Sequence, residues 1–96
     1  MIEQSGDSLR VTVPMVIANA GALLEAGRSF LQAARSGDTV FDLAAVQEVD
    51  SSALTVVFAW LRTARERGAT LRIVNPPASM TSLASLYSVS DFLPLA

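Results

Sequence analysis

The segment Val49-Asp50-Ser51-Ser52-Ala53-Leu54 lies between a strand pattern and a helix pattern, so it dictates how the chain turns at its midpoint. On its N-terminal side, Thr39-Val40-Phe41-Asp42-Leu43 gathers β-branched and aromatic residues behind the turn pair Gly37-Asp38, which predicts a short strand. On its C-terminal side, Leu54, Val57, Phe58 and Leu61 recur at i, i+3, i+4 and i+7, the period of a helix with one buried stripe. Asp50, Ser51 and Ser52 therefore fall at a helix N-terminus, where the first N–H groups lack acceptors within the helix and the macrodipole leaves partial positive charge. Asp50 or Ser51 can supply the capping oxygen. Three short oxygen-bearing side chains exceed what one cap needs, and the same N–H groups would also receive a phosphate.

The rest of the chain alternates around this junction. Leu9, Val11 and Val13 alternate with Arg10 and Thr12, and Ser5-Gly6-Asp7 suits a turn from a short strand at Ile2 to Gln4, so the chain should begin with a hairpin. Ala20, Leu23, Leu24, Gly27, Phe30, Leu31 and Ala34 return on one face, predicting a helix over about residues 20–35 with Asn19 as its cap. Gly27 in that stripe either weakens the helix or marks a close approach to the sheet, and its position on the inner face favours the approach. The central helix should run over residues 52–67 and stop at Gly68, with Arg62, Arg65 and Arg67 opposing the negative end of its dipole. Thr70 to Val74 reads as a strand. Asn75-Pro76-Pro77 ends it, and a last helix follows from Ser79 to Tyr87 with Met80, Leu83, Leu86 and Tyr87 inward. The order ββαβαβα with right-handed crossovers predicts an α/β fold: one domain, residues 1–96, with a small, mostly parallel sheet and helices packed on it.

Composition narrows the chemistry. With no Cys and no His, disulfides and the common thiolate and imidazole metal sites have no ligands, leaving room only for a hard, all-oxygen site. All seven basic residues are Arg, against nine acidic ones, for a net charge of −2 and no basic stripe, so no nucleic-acid partner is expected. The N-terminus has no basic and apolar signal segment, and no uncharged run of about 20 apolar residues could span a bilayer, which predicts a soluble, cytoplasmic chain. A Ser51 or Ser52 nucleophile would need a base, yet His, Lys and Cys are absent and Asp50 is its sequence neighbour, badly placed for that role. Asp42, Glu48 and Asp50 do not read as a paired-carboxylate site, and no G-x-x-x-x-G-K-[ST] loop is present. No enzyme and no cofactor are expected.

Asp50-Ser51-Ser52-Ala53-Leu54, preceded by the Phe41-Asp42-Leu43 strand, resembles the signature of STAS domains, usually Asp-Ser-Ser-Gly-Leu or Asp-Thr-Gly-Gly-Leu. Leu83-Ala84-Ser85-Leu86-Tyr87 and Phe92-Leu93-Pro94 resemble the C-terminal helix and tail of the MlaB-type branch, the STAS subunits of bacterial Mla phospholipid ABC transporters. The resemblance runs from about Gly6 to Pro94, with Ala53 in place of the usual Gly. It implies a non-catalytic subunit that binds the nucleotide-binding ATPase of such a transporter at the inner membrane, without inserting itself, and supports outer-membrane lipid asymmetry. The alternative it implies is an anti-sigma factor antagonist released from its partner by phosphorylation of Ser51 or Ser52, since a phosphate adds about −1.5 to −2 charges.

On a helical wheel Leu54, Val57, Phe58, Leu61 and Arg65 share one side of the central helix, while Ser52, Val56, Ala59, Trp60 and Thr63 lie away from it. Val56 and Trp60 stand where a solvated helix would carry charge. That makes them, with Asp50, Ser51, Ser52 and Ala53, the expected partner-binding residues. The competing reading packs Trp60 under a neighbouring helix or the hairpin.

Overall fold

The computed structural model describes residues 2–34 and 37–95. Two short strands, β1 (Ile2–Ser5) and β2 (Ser8–Val11), form the hairpin, antiparallel and in register from Ile2 opposite Val11 to Ser5 opposite Ser8. Helix α1 (Ile17–Ala33), strand β3 (Asp38–Asp42), helix α2 (Ser52–Glu66), strand β4 (Thr70–Val74) and helix α3 (Ala78–Leu86) follow, and a 3-10 turn at Ser90–Phe92 closes the chain. The sheet order is β1-β2-β3-β4, with β2, β3 and β4 mutually parallel. This is the expected α/β architecture.

Alternation decides which face of the sheet is covered. Leu9 and Val11, Thr39 and Phe41, and Leu71 and Ile73 are all buried, while the residues between them, Arg10 and Arg72 among them, face outward. The helices close that inner face. Phe41 of β3 meets Phe30 of α1 edge-on at 5.7 Å between ring centroids and Trp60 of α2 at 4.9 Å, so a T-shaped aromatic chain ties both long helices to the central strand. Thr39, fully buried, satisfies its hydroxyl by donating to the Thr70 carbonyl at 3.0 Å. α3 adds Met80 and Ala84 to the same core.

Element boundaries differ from the expectations at instructive places. α1 begins three residues earlier than periodicity suggested, and Asn19 does not cap it; the Asn19 amide donates instead to the Pro14 carbonyl at 2.9 Å. Arg35, expected as the last residue of that helix, lies outside the described residues. Val13 falls beyond β2, but the chain re-forms a parallel bridge between Met15 and Val49. α2 ends at Glu66, and Gly68 takes φ +69° while Ala69 N–H donates back to the Ala64 carbonyl at 2.8 Å, the left-handed stop that glycine adopts without strain. In α3 the inward residues are Met80 and Ala84, with Leu83 half-buried; Leu86 and Tyr87, expected inward, are exposed because the helix ends there and the chain turns away through Ser88 at φ +59°.

The larger correction concerns α2. Its buried residues are Ala53, Leu54, Val56, Val57, Trp60, Thr63 and Ala64, so Val56 and Trp60 belong to the core, at 4% and 0% exposure. Phe58 and Leu61, read as core, are only half-buried. The reason is Gly27. A Cβ on that residue would overlap the indole nitrogen of Trp60, so α1 offers a slot where it has no side chain and the indole fills it. The indole N–H then donates to the Leu23 and Leu24 carbonyls at 3.2 and 3.3 Å. Gly27 does mark a close approach, but one between α1 and the Trp60 side chain of α2, not between helix and sheet.

Candidate functional site

The loop between β3 and α2 is held by hydrogen bonds from both sides. Met15 N–H donates to the Glu48 carbonyl at 2.9 Å and Asp50 N–H to the Met15 carbonyl at 3.2 Å, so the approach to α1 and the approach to α2 are joined backbone to backbone. Asp50 completes the junction. Its Oδ2 accepts from Ile17 N–H at 2.9 Å, and its Oδ1 accepts from Ser52 N–H at 2.9 Å and from the Ser52 hydroxyl. Neither α1 nor α2 has a capping side chain at its own boundary residue, Val16 or Ser51. One carboxylate therefore serves two helix N-termini, where backbone N–H groups would otherwise lack acceptors. The Ser52 hydroxyl, and after it the Ile17 N–H, hold the Asp50 carboxyl below the ordinary carboxylate range; desolvation opposes them, and the Ser52 N–H adds a lesser lowering.

This separates the motif residues by role. Asp50 is half-buried and occupied by the junction, and the Ser52 hydroxyl is occupied by Asp50. Ser51 is exposed and makes no side-chain cap bond, so its hydroxyl is left uncommitted at the residue just before a fifteen-residue helix. Ala53, where the family signature has Gly, is buried at the base of α2, and its methyl group packs into the core. Of the six residues expected to contact a partner, burial removes Ala53, Val56 and Trp60 from the accessible surface. Asp50, Ser51 and Ser52 stay at it.

Sequence reasoning missed what surrounds Ser51. A shallow depression is lined by Ser51, Ser52, Leu54, Thr55, Phe58, Tyr87 and Val89, drawing on both ends of the second half of the chain. Ile17, whose N–H is bound to Asp50, is 74% exposed, and Leu86 and Tyr87 are 73% and 54% exposed. Large apolar side chains of this exposure are of the kind that interaction surfaces use. Thr55 could have been found by spacing, since it follows Ser51 by four residues and so shares its helical face. Tyr87 could not, because only the fold returns the end of α3 to the start of α2. Among the described residues, no group of three or more acidic side chains is placed to hold a metal ion, and no helix is long and apolar enough to cross a membrane.

The sequence model of the family described as MlaB, STAS domain, matches residues 2–95. The chain belongs to that family. A curated relative, the intermembrane phospholipid transport system binding protein MlaB of Haemophilus influenzae, is 30% identical over 66 residues, covering 67% of this chain and 63% of that protein. The chain thus matches just under two thirds of that relative's length. Among solved structures, a candidate anti-sigma factor antagonist of Thermotoga maritima superposes with a TM-score of 0.77 at 17% identity, covering 99% of this chain and 83% of that one. The Bacillus cell fate determinant SpoIIAA in its phosphorylated form gives 0.69 at 11% identity, covering 100% and 89%. At these identities the two structures speak to the fold alone: this STAS domain has the anti-sigma factor antagonist fold.

Proposed function

We propose that the chain, acting as one STAS domain over residues 1–96, is a non-catalytic subunit that docks on the nucleotide-binding ATPase of an Mla-type phospholipid ABC transporter. In this role it supports that ATPase's assembly or activity in maintaining lipid asymmetry, and it sits in the cytoplasm, held at the inner membrane through its partner. The observation that carries this reading is the depression in which Phe58, Tyr87 and Val89 lie beside an exposed Ser51, on a loop whose Asp50 carboxylate accepts from the N-termini of both α1 and α2. Such a surface suits a protein partner, with a polar centre and an aromatic and aliphatic surround. Membership of the MlaB family and the Haemophilus relative's place in a phospholipid transport system support the choice of partner. The test is co-purification: the wild-type chain recovers an ABC-type ATPase, and Ser51→Glu, which sets charge and bulk in the depression, does not. Undiminished recovery by Ser51→Glu would remove the loop from the interface.

A second reading, that of an anti-sigma factor antagonist switched by phosphorylation, draws on the free Ser51 hydroxyl at a helix N-terminus. It requires phosphate on Ser51 in cells and recovery of an anti-sigma kinase in place of an ATPase. Ser52 is the poorer acceptor, because its hydroxyl is engaged by Asp50.

A further inference from the structure

A second depression continues the first along α2. It is lined by Phe58, Leu61, Arg62, Arg65, Val89 and Phe92, and it shares Phe58 and Val89 with the depression around Ser51. Four of these residues, at 58, 61, 62 and 65, follow the i, i+3, i+4, i+7 spacing of one helix face, so the groove runs along the α2 axis for about two turns, roughly 10 Å. Its apolar wall is unusually open: Phe92 is 66% exposed, and Phe58 and Leu61 are half-buried. Its polar wall is two guanidinium groups. Among the described residues neither Arg62 nor Arg65 forms an ion pair, whereas Arg28 pairs with Glu25, and Glu66 and Asp91 do not line the groove. Two unpaired positive charges on a chain of net charge −2 form a local complement to acidic groups.

We propose that this groove receives an acidic amphipathic helix of the protein that docks on the Ser51 surface. Its apolar stripe lies against Phe58, Leu61 and Phe92, and its flanking carboxylates reach Arg62 and Arg65. A helix fits because the groove is itself one face of a helix, so ridges at i, i+3 and i+4 spacing can interdigitate along it. Carboxylates fit because guanidinium forks bind them in bidentate fashion. The identity of the partner rests on the docking reading above; the chemistry of the groove does not.

The experiment uses the full chain labelled with ¹⁵N and two peptides, each about 18 residues long, with the same leucine and phenylalanine stripe flanked by Glu in one and by Lys in the other. The Glu peptide should give saturable amide shifts at Phe58, Leu61, Val89 and Phe92 and bind at least about tenfold more tightly than the Lys peptide. The Arg62→Glu/Arg65→Glu variant, altered at exposed positions and retaining its melting temperature, should reverse that preference, while Ser51→Glu should leave it unchanged. Equal affinity for both peptides, no saturable shift, or shifts mapping elsewhere would overturn the proposal. Vesicles containing phosphatidylglycerol form a third arm: binding to them that depends on the two arginines, with none to the Glu peptide, would assign the groove to a lipid surface instead. Recovery of no ATPase from cells alongside a positive Glu-peptide result would fault only the docking reading; the reverse pattern would fault only the groove.

Discussion

A methyl group at position 27 would overlap the Trp60 indole, which sets two effects of known size against each other. Alanine favours a helix over glycine by about 1 kcal/mol, whereas overfilling a close-packed core costs about 1–3 kcal/mol. The clash involves the rigid ring of a fully buried side chain, so overfilling should win: Gly27→Ala is expected to lower the melting temperature and shift the Trp60 fluorescence. Trp60→Ala should cost about 3–5 kcal/mol, the usual range for emptying a buried aromatic site, while the fraction that stays folded binds its partner normally. Melting and affinity measured on the same protein check both halves. Ser51 contrasts with both, because its side chain makes no cap bond; Ser51→Ala should change stability by less than the roughly 1 kcal/mol of a lost cap, as a denaturant titration would show.

At the scale of elements, Asp50 couples the start of α1 to the start of α2. Its carboxyl is held below the ordinary range in the folded chain, so its contribution to stability is complete at pH values above the unfolded carboxylate pKa of about 4 and is lost as pH falls through the lower folded value. Asp42 adds in the same direction, lowered chiefly by the Asn75 amide and then by the Ala44 N–H. Asp50→Asn should therefore lower stability at pH 7 and flatten its decline as pH falls below the ordinary carboxylate range, measured by thermal melts from neutral to acid pH. An unchanged acid limb would mean that the junction does not depend on the charge. α2 has two apolar faces of different fate. The one bearing Val56 and Trp60 is consumed by α1 and the sheet, and the one bearing Phe58 and Leu61 is left at the surface beside the loop.

At the scale of the molecule, all the buried sheet residues lie on one face, so neighbours in a strand should respond oppositely to substitution. Ile73 is buried under the helices and Arg72 projects from the open face. Ile73→Ala should cost about 2–5 kcal/mol and Arg72→Gln no more than about 0.5 kcal/mol, a contrast that denaturant unfolding of the two variants would check. Comparable losses would mean that the outer face is covered in the folded protein.

Periodicity and punctuation sufficed for the order of elements, because strand alternation, helical stripes and Gly or Pro stops are properties of short stretches of chain. They sufficed too for the place of the motif residues: short capping residues between a strand and a helix pattern belong at a helix N-terminus, and Asp50, Ser51 and Ser52 stand at one. Which face of α2 is core was not legible. Both stripes are apolar, and the choice between them depends on a glycine 33 residues earlier in the chain, whose missing side chain makes room for Trp60. The same holds for the surround of Ser51. Phe58 and Tyr87 come from α2 and the end of α3, and no local pattern records that folding sets them in one depression with Ser51, because proximity in space is decided by how helices pack on the sheet.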